Sequence, residues 1–168
     1  MKCYKLGVDC DIKHLYTDAI DYYQESIVKK EMEINAYLNL AFIYWAAASE
    51  LNWSIAENIP KEIRQTGYKK SFIILELAEA IWENIEIKFW KEWFVKETIL
   101  EYLDEKETLA ILKENPNQSL VPYFNLIICN PDNLEYRKQG YILYENCKKE
   151  VTAKNRYILT FIESKFRN

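Results

Sequence analysis

Ile-Asn-Ala-Tyr-Leu-Asn-Leu-Ala-Phe-Ile-Tyr-Trp-Ala-Ala-Ala-Ser-Glu-Leu, residues 34 to 51, is the stretch that decides the fold. It contains no Gly or Pro, and its Ala and Leu residues are strong helix formers. Tyr37, Leu40, Ala41 and Tyr44 mark one face of that helix, and Leu38, Phe42 and Trp45 mark another. Polar breaks come only at Asn35, Asn39 and Ser49. A helix that is apolar nearly all round is buried on most sides, so this segment is expected to be the hub of the fold. It is not a membrane span. Glu33 and Glu50 bracket a segment too short for one, and two Asn residues interrupt it.

Composition bounds the class. A chain of 168 residues is most simply one domain, residues 1–168. Hydrophobic residues at 49% and aromatics at 15% supply a well-filled core and exclude disorder. Three Gly and four Pro leave little material for hairpin turns. The expected fold is therefore all-α, a compact antiparallel helical array. A net charge of −4 excludes the basic footprint of a nucleic-acid binder. The first ten residues lack the apolar core of a secretory signal, which implies a cytoplasmic protein. There Cys3, Cys10, Cys129 and Cys147 would be reduced thiols.

Working outward from the hub, Ile12, Leu15, Tyr16, Ala19, Ile20, Tyr23 and Ile27 recur at spacings of three and four. The spacing predicts one amphipathic helix, starting near Asp9 or Asp11 and ending at Lys29 and Lys30. A short link, Glu31 to Glu33, makes this helix and the hub antiparallel neighbours.

Across that link Ala19, Tyr23, Ser26 and Ile27, then Tyr37, Leu40, Ala41 and Tyr44, resemble consecutive helices of a tetratricopeptide array. The similarity covers residues 12–48. Small residues stand where helices nearly touch, and aromatics fill the gaps between them. Two departures stand out: Glu31 replaces the Pro of the family's link, and Trp53 and Pro60 fall where a small residue and an aromatic belong. The resemblance implies ligand binding along the inner face of the hub, at Asn35, Leu38, Asn39, Phe42 and Trp45. Leu38 and Phe42 exclude the subtype that clamps a peptide carboxylate.

Beyond the hub, Pro60 is expected to open a short helix that Gly67 ends as a left-handed cap. Helices are predicted over about 69–85, 87–103 and 105–114. The piece from Leu120 to Cys129, with Pro122, reads as a helical turn or an extended segment. Asn130-Pro131-Asp132-Asn133 reads as a turn and helix start, after which two further helices bring the total to seven to nine. Residues 76–107 are dominated by Glu and Asp, whereas 135–168 carry an excess of Lys and Arg.

No catalytic constellation is visible. His14 is the only histidine, which removes most general-base and triad schemes. Cys10 and His14 would share a helical face with Cys3 and Asp11 nearby, but the spacing lacks the paired ligands of a structural zinc site. Glu76, Glu79, Glu83 and Glu86 read as a solvated face; a di-iron bundle would need Glu-x-x-His motifs. Trp82, Phe89, Trp90, Trp93 and Phe94 read as core before groove.

The sequence thus predicts a non-catalytic module that binds another protein or a peptide, with no cofactor, metal, nucleic acid or membrane partner. An open array would leave Leu38, Phe42 and Trp45 as an exposed groove. The long apolar remainder is expected to cover that face instead, moving binding outward to Glu79, Glu83, Trp90 and Trp93 in the acidic region. The alternative is an immunity- or antitoxin-type protein that neutralises a toxin through that acidic surface. A third class, an all-α enzyme with a carboxylate site, fits less well.

Overall fold

Helix-forming runs punctuated by polar links produce an all-helical chain. The computed structural model describes residues 2–49 and 53–166, with the side chains of residues 53 and 54 excepted. The expected end of the hub at Glu50 and Leu51 lies outside the described residues. Helices α1 (Cys3–Ile12), α2 (Tyr16–Val28), α3 (Ile34–Ala48), α5 (Lys61–Glu79), α6 (Ile85–Thr98), α7 (Glu105–Glu114), α8 (Pro122–Cys129), α9 (Leu134–Cys147) and α10 (Ala153–Phe166) form the array. A single turn, α4 (Trp53–Ala56), makes the tenth element. Among the described residues there is no strand, and no helix is long and apolar enough to cross a membrane.

The chain divides into two compact units. The first lies within Met1–Trp82 and takes in Thr152–Lys154; the second comprises Glu83–Val151 and the chain from Asn155. In the first unit α3 is the hub. From Ala36 to Ala47 every residue is buried, because no side of the helix is polar enough to face water. α2 and α5 pack against it. Ala19 and Ala41 are fully buried, and beside them Tyr23 accepts a hydrogen bond from Asn39 Nδ2 (3.2 Å) and Tyr44 accepts one from Gln24 Nε2 (2.8 Å).

The glycines serve packing. None has a positive φ. Gly67 was expected to end a short helix, but it lies inside the 19-residue α5, where a Cβ would stand 2.3 Å from the Tyr44 carbonyl oxygen and 2.8 Å from Ala48 Cβ. Gly7 likewise gives room to the Tyr23 ring, and Gly140 to Ile127. Among the described residues, four left-handed positions are filled by residues other than Gly: Met32 (φ 56°) in the link before α3, and at helix ends His14, Lys30 and Leu100, with φ of 62°, 53° and 58°. The latter three share one geometry. Each closes a helix in the same way: its own N–H and that of the next residue return to carbonyls of the last turn, as in Glu31 N to Ser26 O (3.1 Å) and Glu101 N to Lys96 O (2.9 Å).

This corrects the reading of the N-terminal region. The single helix expected from Asp9 or Asp11 to Lys29 and Lys30 is two helices, broken by the left-handed His14. Cys10 and His14 therefore do not share a helical face. α1 begins earlier, at Cys3, because Glu31 acts as its cap from a distance. The Glu31 carboxylate accepts the Cys3 N–H (2.9 Å), the Tyr4 N–H (3.0 Å) and the Ser26 hydroxyl (2.9 Å). Asp11, fully buried in α1, accepts the Tyr23 hydroxyl (3.2 Å) and the Ala153 N–H (2.7 Å) at the start of α10.

In the second unit an aromatic cluster forms the core. Phe89, Trp90, Trp93 and Phe94 of α6 pack with Phe124 of α8 and with Tyr157 and Phe161 of α10, with ring centroids 4.8–6.5 Å apart. Pro122 takes the first helical position of α8, so the piece that begins at Leu120 is helical from Pro122 to Cys129 and not extended. Asn133 caps α9, its Oδ1 accepting the N–H groups of Glu135 and Tyr136. Helices expected at 69–85 and 87–103 are instead Lys61–Glu79 and Ile85–Thr98. Asn84 caps α6, and Leu100 stops it early.

Candidate functional site

The hub does not offer an open groove. Leu38, Asn39, Phe42 and Trp45 are each no more than 2% exposed, and Asn35, at the start of α3, is the one predicted inner-face residue in solvent. Asn39 is engaged internally, donating to Tyr23, which donates in turn to Asp11. Trp90 and Trp93 are core, at 1% and 3% exposure. Glu79 and Glu83 are exposed. The Glu83 carbonyl accepts from Gln118, and the two line a polar recess of about 200 Å³ with Asn84, Lys88 and Glu114. Among the described residues no three His, Cys, Asp or Glu side chains converge as metal ligands. His14 Nδ1 lies 3.1 Å from the Tyr16 hydroxyl.

What the acidic region does expose is a tip between α6 and α7. Leu100 and Tyr102 are 83% and 81% exposed, and Ile99 and Val95 beside them are 57% and 43% exposed. The tip is held at three points. At its start the α6 cap fixes Leu100 in the left-handed conformation. At its end a capping box locks Asp104 to Glu107: the Glu107 N–H reaches Asp104 Oδ1 (2.7 Å) and the Asp104 N–H reaches Glu107 Oε2 (2.9 Å). From within, Leu103 is buried, and its carbonyl accepts the amide of the buried Asn125 (2.8 Å), which also donates to Thr108 Oγ1 (2.6 Å). The alternation of buried Leu103 and exposed neighbours therefore has a fixed outward direction.

Charge surrounds the apolar tip. Lys96 Nζ bridges Glu101 (3.3 Å) and Glu107 (3.1 Å). Those hydrogen bonds, that to Glu107 foremost, hold its ammonium above the ordinary lysine range. Burial raises the Glu97 carboxyl. Asp104 and Glu105 complete a rim with more carboxylates than cations. The sequence signalled the acidic region, but not the tip. Nothing in the run Ile-Leu-Glu-Tyr-Leu, 99 to 103, says which residues turn outward, because that depends on Leu100 taking a conformation leucine seldom adopts.

A second exposed surface lies on α9. Leu134, Arg137, Lys138, Tyr141 and Ile142, with Phe166 of α10, line an open groove of about 590 Å³. No known protein family, curated protein or solved structure matches this chain.

Proposed function

We propose that this protein is a non-catalytic protein-binding module, and that Ile99, Leu100 and Tyr102 dock, inside their carboxylate rim, into a basic-edged apolar pocket on another protein. The observation that carries the reading is Leu100. A left-handed leucine costs about 1–2 kcal/mol, and at 83% exposure its side chain regains nothing from the core. Strain at an exposed apolar residue points to use in binding. The anchoring by Asn125 and by the Asp104 capping box supports this, since a tip ordered before contact loses little entropy on binding. Tyr102 supplies the aromatic anchor common at interface centres.

The carboxylate rim favours a basic partner. A cytoplasmic protein that neutralises a basic toxin is the specific form of this reading. The hairpin of α2 and α3, with Ala19 and Ala41 buried and Tyr23 and Tyr44 beside them, supports a repeat-like scaffold for the first unit.

The test compares immobilised full-length protein with the Leu100→Gly, Tyr102→Ser double variant in native lysate, with retained proteins identified by mass spectrometry. A basic protein held by the wild type, released by high salt and lost from the variant is the expected result. Equal capture by both would remove the tip from the interface.

A further inference from the structure

α9 carries two apolar stripes, and its fold uses only one. Gly140, Leu143 and Cys147 are buried, with Gly140 fitted against Ile127 of α8. On another side, Leu134, Tyr141 and Ile142 recur at intervals of seven and eight, and are 82%, 56% and 43% exposed. That spacing is the pattern of a helix face that packs on another helix.

The groove beside this stripe is basic and already ordered. The Arg137 guanidinium lies 5.1 Å from the centre of the Phe166 ring and donates from Nη1 to the Pro131 carbonyl (3.1 Å). Lys138, four residues after Leu134, is exposed. Among the described residues neither cation is paired with a carboxylate. Lys96 and Lys148, by comparison, each meet a carboxylate. An apolar helical stripe flanked by unpaired cations is complementary to a helix that is apolar on one face and acidic at its edges.

We infer that the α9 groove is a second docking site, independent of the 99–102 tip, and that its occupant is an acidic amphipathic helix of another protein. The occupant's apolar residues would lie along Leu134, Tyr141 and Ile142, and its carboxylates would meet Lys138 and the free N–H groups of Arg137.

The probe is a fluorescein-labelled helical peptide with Leu at heptad positions a and d and Glu at e and g, alongside a twin carrying Lys at e and g. Each is titrated with the full chain by fluorescence anisotropy. The Glu peptide binds, more weakly as salt rises, and at least about tenfold more tightly than its twin, a factor that corresponds to about 1.4 kcal/mol. Lys138→Glu abolishes that preference, Tyr141→Ala weakens both peptides, and Leu100→Gly changes neither. Circular dichroism melts establish that the variants fold. Failure of either peptide to bind, equal binding of both, or indifference to Lys138→Glu would each overturn the inference. Sedimentation showing a dimer that Leu134→Arg dissociates would also overturn it, by making the occupant a second copy of the chain.

Discussion

Gly67 of α5 lies against the backbone of Tyr44 so closely that a Cβ would stand 2.3 Å from the Tyr44 carbonyl oxygen. Helix propensity alone favours Ala at such a position by about 1 kcal/mol. Overpacking a tight helix contact typically costs about 1–3 kcal/mol, and a backbone oxygen cannot rotate away. Gly67→Ala is therefore expected to lower the melting temperature of the full chain, and Ala48→Gly in the same molecule should not restore it. A variant as stable as the wild type would mean that α5 stands off from the hub.

Glu31 tests the remote cap of α1. Its hydrogen bonds, that from the Tyr4 N–H foremost, hold its carboxyl below the ordinary glutamate range. A lowered folded-state pKa gives stability that is present above the unfolded value and lost as pH falls through the folded one. Glu31→Gln should thus melt below the wild type at pH 7, and the gap should close as pH drops below about 4. A gap that persists in acid would assign the loss to something other than the carboxylate.

Tyr23 sets the alkaline limit. Burial, reinforced by the Asp11 carboxylate, raises its hydroxyl far above the usual tyrosine value. Burial does the same for Tyr157, with Glu97 adding to it. A raised folded-state pKa favours the protonated form, so this stability is complete below about pH 10 and declines as pH rises further. Ultraviolet titration should show Tyr136, pushed up to about 12 mainly by its hydrogen bond to Glu105, ionising before Tyr23 and Tyr157. Tyr23 and Tyr157 should ionise only as the protein unfolds. Tyr23→Phe is expected to cost about 1 kcal/mol or more at neutral pH and to soften the alkaline decline.

Leu100→Gly separates folding from binding. Gly adopts the left-handed conformation without the Cβ penalty, and the lost side chain is 83% exposed. The variant should be more stable than the wild type by up to about 1–2 kcal/mol in a chemical denaturation series, while losing the partner. A variant that is less stable would show that the Leu100 side chain supports the fold.

Trp45 reports on the hub. At 1% exposure it should be shielded from acrylamide in a chain in which the other four tryptophans are replaced by Phe. Free quenching in a variant whose melting remains cooperative would reopen the hub face as a groove.

The helical class was legible in the sequence because it depends on local patterning. The all-round apolarity of residues 36–47, the scarcity of Gly and Pro, and the turn and helix start at Asn130 to Asn133 act within a turn or two of themselves. α7 fell on its expected residues for that reason. What the sequence could not disclose were choices made across space. Gly67 reads as a helix stop, and only the Tyr44 backbone opposite it makes it a packing residue. Glu31 reads as a missing Pro, until the N-terminus of α1 comes within reach of its carboxylate. Asn39 reads as a ligand contact, until Tyr23 and Asp11 occupy it. The tip at 99–102 depends on the anchoring of Leu103 by Asn125, 22 residues away. Local propensity determines which segments are helices; burial, close approach and distant hydrogen bonds determine which faces remain for a partner.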